Sequence, residues 1–129
     1  MGQVKIFGLA QEIHQHKSTI SDVIHSCIVD GLMFPADKKF QRFFPMDAEN
    51  FIFPEGRSHR YLIIEVSLFE GRSIETKKGF IRLMYQRLHD QLGIAGNDIE
   101  ITLFETPKHN WGIRGVPGDE LILNYQVNV

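Results

Sequence analysis

The sequence predicts an α/β protein of two tandem β-α-β units, with a four-stranded sheet, two helices on one face and a short C-terminal strand. Three observations point there. Two apolar stripes recur at spacings of three and four: Ile20, Val23, Ile24, Cys27 and Ile28, then Ile81, Met84, Tyr85, Leu88 and Leu92. Such spacing marks the buried side of an amphipathic helix. Each stripe is flanked by runs with strand character. A shift of 61 residues also lays the first helix and strand on the second, with Ile20 on Ile81, Val23 on Met84, Asp37 on Asp98 and Phe43 on Phe104.

The elements follow in order. Val4 to Leu9 alternates as a strand, Val4 and Ile6 facing one way and Lys5, Phe7 and Leu9 the other. The polar stretch containing His14, His16 and Lys17 reads as a connection, with Ser18 as N-cap of the first helix and Gly31 near its C-cap. Pro35 and Asp37 mark a turn, and Phe40 to Phe44 reads as a strand ended by Pro45. Asp47 to Arg60, with Pro54 and Gly56, reads as an excursion. Leu62 to Phe69 is nearly continuous in apolar residues, as in a central strand covered on both faces. Gly71-Arg72-Ser73 turns the chain, Ser73 caps the second helix, and Gly93 with Gly96-Asn97 ends it. Ile99, Ile101 and Leu103 alternate with Glu100 and Thr102. After the Gly- and Pro-rich loop from Pro107 to Gly118, Leu121 to Val129 reads as the last, short strand. Right-handed crossovers would pair the strands of each unit in parallel. A ferredoxin-like arrangement has the same linear order with antiparallel pairing, and periodicity does not separate the two. Residues 1–129 read as a single domain with an internal repeat over about 4–45 and 61–105.

Composition narrows the function. At 129 residues, 43% hydrophobic and 23% charged, the chain can build a core without cross-links. A formal net charge of -2 gives no general attraction to nucleic acid or to an anionic membrane. Cys27, the only cysteine, excludes an intramolecular disulfide and a thiolate zinc cluster, and on the helix stripe it reads as a small buried hydrophobe. No apolar run approaches the roughly 20 residues of a membrane span, and no secretory h-region is present, so the expected location is cytoplasmic. His14 and His16, two apart, would share one side of a strand but have no acidic or cysteine partner nearby, so no metal site is expected.

Arg72 is the residue with the clearest chemistry. It follows the carboxyl end of a buried strand and precedes a helix, where free amide N–H groups and the helix dipole favour an anion. A guanidinium there can hold a carboxylate through two hydrogen bonds. The competing reading is a surface arginine paired with Glu70 or Glu75.

The order of elements, the strand-Gly71-Arg72-Ser73-helix junction and the Asn110-Trp111-Gly112 loop together resemble the tautomerase superfamily, in particular its malonate semialdehyde decarboxylase-like branch. The resemblance implies a homotrimer, a pocket for a small carboxylate or keto acid, isomerase or decarboxylase/hydratase-like chemistry, and no metal or organic cofactor. In that family the reactive group is an amino-terminal proline. The alignment of Phe7-Gly8-Leu9 with the family's first strand puts Gln3 in the proline's place, and glutamine has no titratable amine. Removal of Met1 before Gly2 would expose a primary amine away from that position, with an ordinary pKa of about 8.

Arg72 matches the family arginine that grips the substrate carboxylate, whereas a second arginine of that turn falls on Glu70. The water-orienting acid falls on Lys38, next to Asp37; Lys38 is then either a pocket cation or a solvated turn residue. His25 aligns with a substrate-binding histidine of related dehalogenases, or is a hydrogen-bonded boundary residue of the first helix. Trp111 and Ile113 match residues that wall the pocket, with packing at a trimer interface as the alternative for Trp111. Arg114 would restore the cation lost at Glu70. Three functions stay open: a tautomerase-type enzyme with Arg72 and His25 as catalytic candidates and its proton-transfer group not identified, a non-catalytic trimer that binds a metabolite or protein, and a ferredoxin-like regulatory module.

Overall fold

The structure, a computed structural model, describes residues 2–122 and 126–129. Six strands and two long helices run in the order β1 (Gln3–Leu9), α1 (Ala10–Leu32), β2 (Gln41–Met46), β3 (Leu62–Phe69), α2 (Ile74–Leu92), β4 (Ile99–Thr106), β5 (Gly112–Ile113) and β6 (Val116–Pro117). The main sheet has the order β2-β1-β3-β4, and β5 pairs with β6 in a small second sheet. Within each unit the strands are parallel, β1 with β2 and β3 with β4, while β1 and β3 meet antiparallel at the centre. The ferredoxin-like pairing is thereby excluded. Both parallel pairs join residues 37 positions apart, Ile6 to Phe43 and Ile64 to Ile101, so the two crossovers share one geometry.

The core lies between one sheet face and both helices. Ile6, Ile64, Val66 and Leu68 meet Ile20, Ile24, Phe80, Met84 and Leu88, all fully buried. Gly31 lets the helices close: a Cβ there would stand 3.2 Å from the Phe80 ring and 3.4 Å from its Cα.

Several boundaries differ from expectation for physical reasons. The first helix begins at Ala10, not Ser18, and grows directly out of β1 with no side-chain cap at Leu9. Its first turns are held by Ile13 and by Glu12, which is buried and accepts a hydrogen bond from Arg60 Nε at 3.0 Å. A buried ion pair interrupts the apolar periodicity, so this part of the stripe looked polar. His14 and His16 therefore ride on α1, His16 standing 3.9 Å from Glu12. Gly31 lies inside α1, and the left-handed cap is Met33 at φ 62°. Pro45 lies within β2 instead of ending it. Val4 N donates to Phe40 O, so alternation turns the nitrogen of Pro45 toward the free edge of this outer strand, where no donor is needed. The described part of Leu121 to Val129 is not a strand, and residues 123–125 of that expectation lie outside the described residues. The small second sheet instead forms at Gly112–Pro117, inside the expected loop.

The second helix follows its sequence signals. Ser73 Oγ accepts from Thr76 N at 3.1 Å, and Gly93 at φ 67° closes the helix with its N–H on His89 O. Asp98 ties the excursion down: its carboxylate accepts from Ser58 N and Ser58 Oγ, both at 2.7 Å. No helix among the described residues is long and apolar enough to cross a membrane.

Candidate functional site

The amino-terminal end of β1 lies beside the carboxyl end of β3, because the two strands are antiparallel and Gln3 pairs with Ser67. The Gly71-Arg72-Ser73 turn follows immediately after β3. Its residues are thus brought to the start of the chain by the central strand pairing.

Arg72 is only 5% exposed. Its guanidinium carbon stands 4.9 Å from the centre of the Phe34 ring, and Nη1 donates a long 3.4 Å hydrogen bond to Phe69 O. Nε and Nη2 are buried and have no hydrogen-bond partner among the described residues. Burial pulls the Arg72 pKa below its usual value, and the negative charge of Glu105 partly offsets this. Arg72 is therefore not a surface arginine paired with Glu70 or Glu75. Glu70 is exposed, and Lys77 holds the Glu105 carboxylate at 2.7 Å.

The local backbone is held by the carboxy-terminal residues. Gly71 has φ 134°, a conformation open to glycine and strained for other residues. Ser73 N donates to Val129 O at 2.9 Å, and Thr76 N is taken by Ser73 Oγ. The free amides expected at this helix start are thus partly occupied.

The remaining candidates separate onto the two sides of β1. On the helix side, Gly2, His25, Lys38 and Phe40 line a cleft of about 10 Å³, room for at most one water molecule. His25 Nε2–H donates a hydrogen bond to Ala36 O at 2.7 Å, so the ring is oriented by the turn after α1. Lys38 closes that turn through its N–H on Pro35 O. Arg72 joins this group through Phe34, because a Cβ on Gly2 would stand 2.9 Å from the same ring. Gly2, not Gln3, is the residue against Phe34.

On the opposite sheet face, Gln3, Ser67, Phe104, Thr106, Asn110 and Trp111 line a more open cleft of about 340 Å³. Trp111 donates from Nε1 to Thr106 Oγ1 and packs edge-on against Phe69, with ring centres 5.2 Å apart. Ile113 packs with Trp111 against buried Phe69 and Val127. Gln3 receives Arg42 Nη1 at 3.4 Å. Arg114 stands apart from both clefts, exposed on the turn between β5 and β6 with φ 51°.

Sequence reasoning missed Phe34 and Glu105. Phe34 lies in the turn after α1, where no sequence pattern marks it as a partner for Arg72. Glu105 had a usable signal, since parallel pairing of β3 and β4 sets it opposite Leu68, at the end where Arg72 follows.

This combination, two β-α-β units with a buried arginine at the start of the second helix, defines a class of small proteins with a shared sheet core. A family profile described as "Tautomerase enzyme" matches residues 38–114, and the chain belongs to that family. It is 35% identical over 57 residues to 2-hydroxymuconate tautomerase of Comamonas testosteroni, covering 44% of this chain and 90% of that protein. Among solved structures it resembles a malonate semialdehyde decarboxylase, FG41, inhibited by 3-bromopropiolate, with 28% identity and TM-score 0.77 over 85% of this chain and 87% of that one. A fused 4-OT symmetric trimer shares the fold at TM-score 0.78 and 19% identity, over 91% of this chain and 96% of that one.

Proposed function

We propose that this tautomerase-family chain binds a small carboxylate or keto acid at Arg72 and performs isomerase- or decarboxylase-type chemistry on it as a homotrimer. The observation that carries the reading is the buried guanidinium whose Nε and Nη2 have no hydrogen-bond partner among the described residues. A buried cation lacking acceptors is costly, and a planar carboxylate offers two oxygens at the spacing a guanidinium fork requires. The inhibitor of the FG41 relative, 3-bromopropiolate, is itself a small carboxylate, which supports the same ligand class. His25 and Lys38, beside a cleft with room for one water, are proposed to shape the turn on Arg72's side of the sheet, while Trp111 and Ile113 support the site from the opposite face through Phe69. Self-association is supported by the trimeric neighbour and by the outer sheet face, where Phe104 is 48% exposed and Phe7 stacks on Phe44.

A second reading, a trimer that binds such anions without transforming them, is favoured by Gln3 at the position the resemblance gives to the reactive proline. A keto–enol assay with phenylpyruvate, paired with calorimetric binding, separates the two. Turnover that disappears in Arg72→Ala supports catalysis. Binding without turnover supports the binder. Charge-assisted hydrogen bonds worth about 1.5–3 kcal/mol predict a roughly 10- to 100-fold weaker affinity in Arg72→Ala. Affinity unchanged by that substitution would overturn both readings.

A further inference from the structure

We infer that the segment Val127–Val129 is a positioning strap for Arg72, gripping the turn on both sides of it and setting where its guanidinium points. The inference rests on the reading of Arg72 as the carboxylate ligand and adds what holds it ready.

Three contacts define the strap. On one side of Arg72, the space a side chain would fill at Gly71 is occupied. A Cβ there would stand 2.6 Å from Asn128 Oδ1, 3.2 Å from Val127 Cγ2 and 3.3 Å from Val127 O. On the other side, Ser73 N is tied to Val129 O at 2.9 Å. Beneath, Val127 is 4% exposed and packs with Phe69, Trp111 and Ile113. Phe69 also supplies the carbonyl that receives Arg72 Nη1. The residues immediately before and after the arginine, and the strand end that receives its Nη1 hydrogen bond, are therefore all in contact with one segment.

Geometry makes this grip consequential. An arginine side chain has several rotatable bonds, and holding it in one orientation costs conformational entropy. Among the described residues, the side chain is fixed by one ring face and one 3.4 Å hydrogen bond, with Glu105 acting at longer range. The backbone of the turn has to do the rest. Gly71 at φ 134° is a strained position for any other residue, and that conformation is the one the strap packs against. A small displacement of a bidentate group lowers its affinity steeply, because both hydrogen bonds depend on the same plane.

The test uses the full chain, phenylpyruvate as probe, and the Arg72 Nε–H resonance, assigned by its absence in Arg72→Ala. Val127→Ala loosens the strap while leaving the turn's own residues unchanged, and Gly71→Ala displaces it from the other side. In each, phenylpyruvate affinity should fall about tenfold and the Arg72 Nε–H resonance should move. The Nε–H of Arg60, fixed to Glu12 away from the turn, should stay in place, and Val127→Ile should restore wild-type behaviour. An unmoved Arg72 resonance or unchanged affinity in Val127→Ala overturns the strap. So does a shift of both arginine signals together, which would report general loosening. If Arg72→Ala binds phenylpyruvate as the unmodified protein does, or if the unmodified protein does not bind it, the reading of Arg72 fails instead.

Discussion

Replacement of Arg60 by alanine isolates the ion pair that anchors the start of α1. Arg60 Nε donates to Glu12 Oε1 at 3.0 Å, and its Nη1 donates to Leu92 O at 2.7 Å, so one guanidinium joins the first turn of α1 to the last residue of α2. The Glu12 side chain is 4% exposed and that of Arg60 23%. Removing one partner of a buried pair leaves an uncompensated charge and costs about 3–5 kcal/mol. Water can reach the partly exposed Arg60 side, which places the expected loss near the lower end, about 3 kcal/mol. For a chain of this length, that corresponds to a fall in Tm of roughly 10 °C. Urea and thermal unfolding followed by circular dichroism at one fixed protein concentration would measure it, since assembly contributes to apparent stability. The double variant Glu12→Leu/Arg60→Met should return to within about 1 kcal/mol of the unmodified protein, because a well-packed apolar pair avoids the desolvation cost. A loss below about 1 kcal/mol in Arg60→Ala, the range of exposed pairs, would refute the reasoning.

Other perturbations test other parts of the fold. Ser73→Ala removes the Thr76 N–H acceptor at the start of α2 and should cost about 1 kcal/mol in urea unfolding. Gly93→Ala forces a side chain into φ 67° and should cost about 1–2 kcal/mol in the same measurement, with no steric clash contributing, since the nearest atom to the added Cβ is Arg60 Nη1 at 3.9 Å. Gly118→Ala would drive a Cβ to 2.5 Å from Lys108 O, and the expected result is loss of the Trp111–Phe69 packing, read as increased tryptophan fluorescence quenching by iodide. Burial, reinforced by a hydrogen bond to the Glu100 carboxylate, pushes the Tyr61 pKa up to about 12. With an unfolded value near 10, the associated stability is complete below about pH 10 and is lost as pH rises through about 12. Phenolate absorbance should show a late-titrating tyrosine that is missing in Tyr61→Phe, whose stability should fall less over that interval.

How much of this was legible depended on whether a residue's role was local. Ser73 and Gly93 were readable because a cap concerns the residue and its own helix end. The strands β3 and β4 were readable because their apolar alternation reports directly on the buried face. The first turns of α1 were not. Glu12 occupies a core position through a partner 48 residues away, and no periodicity rule sees that pair. Pro45 was misread for a related reason: proline ends a strand only where its nitrogen faces a partner, and β2 is outermost. Gly31 looked like a cap and is instead a close-packing residue against Phe80.

The same distinction explains what happened at Arg72. From its neighbours alone, an arginine between Gly71 and Ser73 reads as an anion ligand or as a surface arginine, and nothing local separates the two. Its side chain lies over Phe34, in the turn after α1, and its own turn is held from Val127 to Val129, none of them near it in sequence. A fold seeking only stability gains nothing from enclosing a guanidinium with two donors unpaired among the described residues, since an apolar side chain of similar volume would avoid the desolvation cost. On the proposed reading, an anion that pairs with both donors would offset that cost on binding. On this view affinity for a carboxylate and stability of the protein are linked at one side chain. Saturating phenylpyruvate should raise the unfolding midpoint of the unmodified protein and leave that of Arg72→Ala unchanged.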